Sequence, residues 1–402
     1  MSAAAGVAPR SSRRAAPFDC DSMEKHMTDP TLTPEQLRAR VIRRADLKSD
    51  PEAFVDVRVP GSTPKYNYQL IGAGVSQNPD TFINLREPHG FGLGGASMPH
   101  GVTNNLHMHF TAEVFICWAG TWRLRWGPSG EQGETTFGEG DVATIPPWIF
   151  RGFSNEGDDG AYLYTMLGRD VTGGVIWAPS ILQKARETGL VISKENTLID
   201  LHKTPDVAPD RIMPPMAAAQ IARLRRYTPE EMARRIVKHD ALHWHARPLL
   251  DSVLAGGRKE MAPVIGFGLT EERDMTPPVV NPHGFTMEWM RAQADNGLLE
   301  HRHANIQAIL VKSGDWQLTV NRGAQAHDAM VEPGTVVSIP PAIWRSLRCL
   351  RGAGEVLLIT GSESRTRIEW SADVLQAAKT SGWAIDPDGY IAPTEVLALA
   401  AA

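Results

Sequence analysis

The sequence predicts a mainly β protein made of two tandem copies of one small β-barrel domain, each with flanking helices. Three observations predict this: a long-range internal repeat, short β-rich segments separated by glycine-containing turns, and a helix-start signature ahead of each β-rich region.

The repeat sets the organisation. Pro88-His89-Gly90-Phe91 returns as Pro282-His283-Gly284-Phe285, a shift of 194 residues. The same shift carries His107 to His301, His109 to His303, Gly120 to Gly314, Trp122 to Trp316, Gly140 to Gly334, Ile145-Pro146-Pro147 to Ile339-Pro340-Pro341 and Arg151 to Arg345. Near the ends it drifts by a residue, so that Thr33-Pro34-Glu35 answers to Thr228-Pro229-Glu230 and Trp177 to Trp370. Chance does not supply so many matches in register. The boundaries that follow are an N-terminal extension over 1–30, a first domain over 31–190, a connector over 191–226 and a second domain over 227–402.

Residues 1–30 are rich in Ala, Ser, Arg and Pro without apolar periodicity, which predicts a disordered extension. They lack the continuous apolar core of a secretory signal, and Met23 and Met27 are alternative starts. In each copy Thr33 or Thr228 precedes a proline, with Gln36 or Glu231 three residues after the threonine, the pattern of a capping box opening a helix. Strands are expected at Val114–Trp118, Trp122–Trp126, Ala161–Leu167 and Ile306–Lys312. Closing helices are expected around Pro179–Thr188 and Ala372–Ser381, and Pro205–Pro215 reads as the least ordered part of the connector.

Composition narrows the function classes. The 402 residues are 42% hydrophobic and 22% charged, the balance of a soluble globular protein. No apolar run reaches the roughly 18 residues of a membrane span. Three cysteines, Cys20, Cys117 and Cys349, cannot form a disulfide framework, so a reducing, cytoplasmic setting is expected. A net charge of −5 lacks the basic footprint of a nucleic-acid binder. Arg223, Arg225, Arg226, Arg234 and Arg235 read as a solvated face.

The chemistry-bearing pattern lies in the first copy. Gly101, five residues, His107, one, His109, three, Glu113, six and Gly120 match G(x)5HxH(x)3E(x)6G without a gap. Gly140, Pro146 and Asn155 then fall at the spacing of G(x)5PxG(x)2H(x)3N. These motifs resemble those of the cupin superfamily, and the duplication resembles that of the bicupins. The resemblance implies two jelly-roll β-barrels, a metal held by motif histidines and carboxylate, and a homo-oligomer. Departures are specific: the second-motif glycine is Trp148 and Ala342, and the second-motif histidine is Arg151 and Arg345. The second copy also has Gln307 for the carboxylate and Cys349 for the asparagine.

Histidines two apart on a strand point to one face, so His107 and His109 converge, with Glu113 completing a two-histidine, one-carboxylate set. That set suits non-haem Fe(II), and Mn, Zn or Ni also fit it. His301, His303 and Gln307 form a weaker candidate second site. Arg151 and Arg345 are candidates to hold a substrate carboxylate; the opposed reading has Arg151 paired with Glu113 inside the barrel. Trp148 is the candidate aromatic wall of a substrate pocket, and His89 and His100 are accessory candidates. A satisfied turn histidine is the plainer reading of His89 and His283, and a surface position that of His243 and His245.

His301-Arg302-His303 is similar to the first motif of the gentisate and salicylate ring-cleaving bicupins. The leading expectation is therefore an Fe(II)-dependent dioxygenase acting with O2 on a small anionic organic acid, aromatic in one form. One alternative is an O2-independent cupin isomerase, hydrolase or decarboxylase using Mn, Zn or Ni. The other is a non-catalytic ligand-binding bicupin. Nucleic acid and membrane are not expected partners.

Overall fold

Strands that must bury both faces read as unbroken apolar runs rather than as alternations, and the chain places such runs, Glu113–Ala119 and Gln307–Ser313, at the centre of two large sheets. A computed structural model describes residues 29–400. The expected 1–30 extension, with Cys20, Met23 and Met27, lies almost wholly outside them. Residues from Thr31 onward form one unit of two β-barrels, each a larger sheet packed on a five-stranded one.

In the first barrel the five-stranded sheet runs 176–177, 103–108, 151–155, 121–126 and 133–138 in spatial order. The facing sheet includes 142–145, 113–119, 162–168, 91–97 and 66–71. Inward residues of the two sheets, among them Phe115, Trp122, Trp126, Phe153 and Leu163, fill the interior. Outward residues of the same strands, Leu93, Val114, Ile116 and Met166, pack on Val264, Met287, Trp289, Leu310 and Ile359 of the second barrel. Phe91 meets Phe285 edge-on at 5.7 Å and Trp118 stacks on Trp289 at 6.2 Å. The two barrels thus share an apolar layer as buried as either interior.

The expected strands form within a residue of their predicted ends, and the closing helices form at Pro179–Glu187 and Ala372–Thr380. Both capping boxes close: the Gln36 amide donates to Thr33 Oγ1 at 3.1 Å, and the Glu231 amide to Thr228 Oγ1 at 3.2 Å. The connector is folded rather than loose. Leu190–Ile192 pairs with Leu198–Asp200, and Met213, Met216, Ile221 and Leu224 pack beside the first barrel.

The opening segments cross over. Val41–Ile42 pairs with Val336–Val337 on the edge of the second barrel, and Ile236–Val237 pairs with Val142–Ala143 on the first. Leu32 and Leu37 join the second barrel's core, while Tyr227 and Met232 join the first's. Each sequence copy therefore supplies an edge strand to the other. No membrane-length apolar helix occurs among the described residues.

Candidate metal centre

His107 lies on the strand Thr103–Met108, His109 just beyond it, and Glu113 begins the next strand. All three are buried, and one ligand atom from each lies within 4.8 Å of the others. The imidazole centroids are 5.0 Å apart. His107 Nδ1 donates to the Asn105 carbonyl at 2.6 Å and His109 Nδ1 to the Gly174 carbonyl at 3.1 Å. These bonds fix the Nδ1–H tautomer in both rings and leave each Nε2 lone pair unprotonated, the state a metal ligand needs. His109 Nε2 has no hydrogen-bond partner and stands 3.5 Å from Glu113 Oε1.

Arg151 takes the place where the motif has its last histidine. It sits opposite His107 across the ladder, its Nη1 donating to the His107 carbonyl at 3.0 Å. Its Nη2 and Nε donate to Glu113 Oε2 at 2.5 and 3.0 Å. Of the two opposed readings of Arg151, the structure has the pairing with Glu113; the guanidinium does not line the cavity. Burial alone would raise the Glu113 carboxyl, but Arg151 and then His109 hold it at about 2. Burial, followed by the Arg151 charge, pushes both histidines below their ordinary value. The apo centre is thus two neutral imidazoles, a carboxylate and a guanidinium, with no net charge.

These donors fit a divalent metal. The histidine lone pairs are aimed inward, one carboxylate oxygen is free of the arginine, and an orphaned buried nitrogen is otherwise costly. His107 Nε2, His109 Nε2 and Glu113 Oε1 would hold it.

The three ligands open on a cavity of about 40 Å³, lined also by Gln69, Gly92, Gly94, Asn104, Thr165 and Leu167. That space holds on the order of three water-sized groups. Small inward residues keep it open. A Cβ on Gly94 would come 3.1 Å from the Tyr68 carbonyl and 2.9 Å from Thr165 Oγ1. Buried Lys65 donates to Asp56 at 2.6 Å and to Asn104 Oδ1 at 2.7 Å, steadying the cavity wall beside His107. The glycine run and the Lys65–Asp56 pair were not singled out in the sequence. The repeat carries the signal, since Lys259 likewise pairs with Asp251 in the second copy.

The second copy differs where it matters. His301 and His303 are buried, but Arg345 Nη2 closes on His303 Nε2, and the Asn305 amide reaches its Nδ1 at 3.3 Å. Both ring nitrogens of His303 face donors, and Gln307 offers a neutral amide. At the candidate second metal site of His301, His303 and Gln307, a guanidinium stands on the His303 nitrogen that would bind the ion, and none of the three residues is a carboxylate.

The remaining candidates fall outside the centre. Trp148 is 44% exposed, at φ +64, against Phe110 on the outer surface. His89 lies in the layer between the barrels, its Nδ1 2.6 Å from the Glu87 carbonyl and its Nε2 2.7 Å from Ser338 Oγ. His100 Nδ1 lies 2.9 Å from the Gly157 carbonyl on an exposed loop. His245, expected at the surface, is buried and pairs with Glu272 at 3.1 Å.

Two comparisons by sequence, with family models and with curated proteins, find no match. Solved structures do match in fold. An oxalate decarboxylase from Bacillus subtilis at pH 4.6 superposes with a TM-score of 0.50 at 12% identity, covering 85% of this chain and 79% of that one. The formate complex of the Lactobacillus farciminis oxalate decarboxylase gives a TM-score of 0.50 at 12% identity, covering 84% and 89%. The fold is that of a bicupin.

Proposed function

We propose that the protein is a metal-dependent bicupin enzyme that cleaves a short anionic acid without net uptake of O2, a decarboxylase in its simplest form. The observation that carries this reading is the convergence of His107, His109 and Glu113 within 4.8 Å on a cavity of about 40 Å³. So small a cavity favours a short acid over an aromatic ring, so the ring-cleaving Fe(II) dioxygenase becomes the second reading. The neighbours in fold support the choice, being oxalate decarboxylases, one of them in complex with formate.

Charge supports it as well. The apo centre carries no net charge, so a divalent cation leaves it at +2, and a dianion of two or three carbons restores neutrality in a water-poor site. A bound metal would act as a Lewis acid on a substrate oxygen. The chain's own residues do the rest. Gln69 and Asn104 present amide groups to the cavity, Arg151 keeps Glu113 ionised, and the apolar walls Phe153 and Leu167 exclude water. Mn, Fe, Zn and Ni all suit the donor set.

The test is to load metal-free protein with each ion, add oxalate or another two- or three-carbon acid, and follow CO2 and O2 together. Release of CO2 without stoichiometric O2 consumption is expected, with loss of both metal and turnover in His109→Ala. Stoichiometric O2 uptake would favour the dioxygenase, and no turnover of any short acid would favour a binding role.

A further inference from the structure

The two barrels treat the same arginine oppositely. In the first, Glu113 neutralises Arg151. In the second, Gln307 stands in the carboxylate's place, and among the described residues Arg345 makes no ion pair although it is 2% exposed. Its Nη1 donates to the Ile343 carbonyl at 3.1 Å and its Nη2 meets a neutral histidine, while its Nε has no partner. A buried, unpaired guanidinium is among the costliest things a protein interior can hold. Burial draws Arg345 down only to about 9, so it stays charged at neutral pH.

The interior of the second barrel holds further unmet polar atoms. Thr286 and Gln307 both register against Thr360, and Glu288 follows Thr286 on the same inward face. Thr286 Oγ1, Glu288 Oε2, Gln307 Oε1 and His301 Nε2 all lack partners. The other nearby cation, Lys259, is neutralised by Asp251. Interior polar groups in this number are rarely left unmet.

We propose that the second barrel binds a small monoanion, of halide or formate size, against Arg345. The anion supplies the counter-charge that Glu113 supplies in the first barrel, and the Arg345 Nε–H is the free donor offered to it. The site is independent of the metal centre and of what that centre does.

Thermal unfolding of the full chain, in chloride or formate against a bulky organic anion at constant ionic strength, tests this. The melting temperature rises with the logarithm of chloride or formate concentration, by roughly 2–6 °C at saturation. The rise disappears in Arg345→Met. It also disappears in Gln307→Glu, which builds the counter-charge into the chain and is more stable than wild type in anion-poor buffer. An equal rise in all three proteins, or none in wild type, overturns the proposal. Should Arg345→Met fail to fold, bromide-soaked crystals decide: an anomalous peak beside Arg345 in wild type and its absence in Gln307→Glu are expected, and peaks only at the surface refute the site. Metal content at His107, His109 and Glu113 is read in the same samples, so a failed metal centre and a failed anion site are separable.

Discussion

Arg151 places two nitrogens on a single oxygen of Glu113, at 2.5 and 3.0 Å, and leaves the other oxygen turned toward His109. One carboxylate thus serves an internal cation on one side and a ligand position on the other. In Arg151→Met the buried carboxylate loses its partner, and the metal-free variant is expected to lose about 3–5 kcal/mol. Added Mn(II) recovers part of that loss because it replaces the missing positive charge. Denaturant melts with and without the ion check both halves, and a variant indifferent to the metal would contradict the ligand assignment.

The pH dependence of the metal-free protein follows from the same cluster. His107 and His109 are held below their ordinary value by burial and then by Arg151, so the unfolded chain takes up their protons first. Their contribution to stability is present above about pH 6.5 and declines as pH falls below it. Glu113 adds a second loss, between its ordinary 4.5 and about 2. The margin in unfolding midpoint of wild type over His107→Gln, measured downward from about pH 7, should shrink across the histidine range.

Glu288 has the opposite sign. Burial pushes it up to about 8 from an ordinary 4.5, and its Oε2 has no partner. The folded state keeps a proton that the unfolded chain releases, so stability falls as pH rises from 4.5 toward 8 and then levels. Glu288→Gln, which cannot ionise, should melt higher than wild type by a margin that widens over that range. A constant margin would place Glu288 in a wetter setting than this one.

Ala342 holds φ +61 at the turn where the motif has glycine. A side chain there costs more than the glycine entropy it saves. Ala342→Gly should therefore stabilise the protein by about 1 kcal/mol, seen as a raised unfolding midpoint with an unchanged denaturant slope. Trp148, at φ +64, carries the same strain but also packs on Phe110, so Ala342 is the cleaner position.

What the sequence made legible was whatever the repeat or a local rule encodes. The capping threonines, the central strands and the convergence of His107, His109 and Glu113 all follow from spacing or from side-chain alternation. The state of Arg151 did not, because its partner depends on which way a long side chain turns inside a closed barrel. The cavity was hidden for a related reason. Gly92, Gly94 and Ala96 stand where the second copy has Thr286, Glu288 and Met290, and only their inward direction reveals that small residues leave a void. The crossing of the opening segments left no trace either, since the repeat register is the same whichever barrel each one joins.

That crossing has a consequence for how the chain comes apart. Val41–Ile42 completes one barrel and Ile236–Val237 the other, in matching positions on corresponding strands. Such mutual lending of identical parts is isologous, the geometry of a domain-swapped dimer whose subunits have been joined end to end. A nick in the connector near Pro205 would leave two fragments still clasped, and either fragment made alone would present a bare edge and seek a copy of itself.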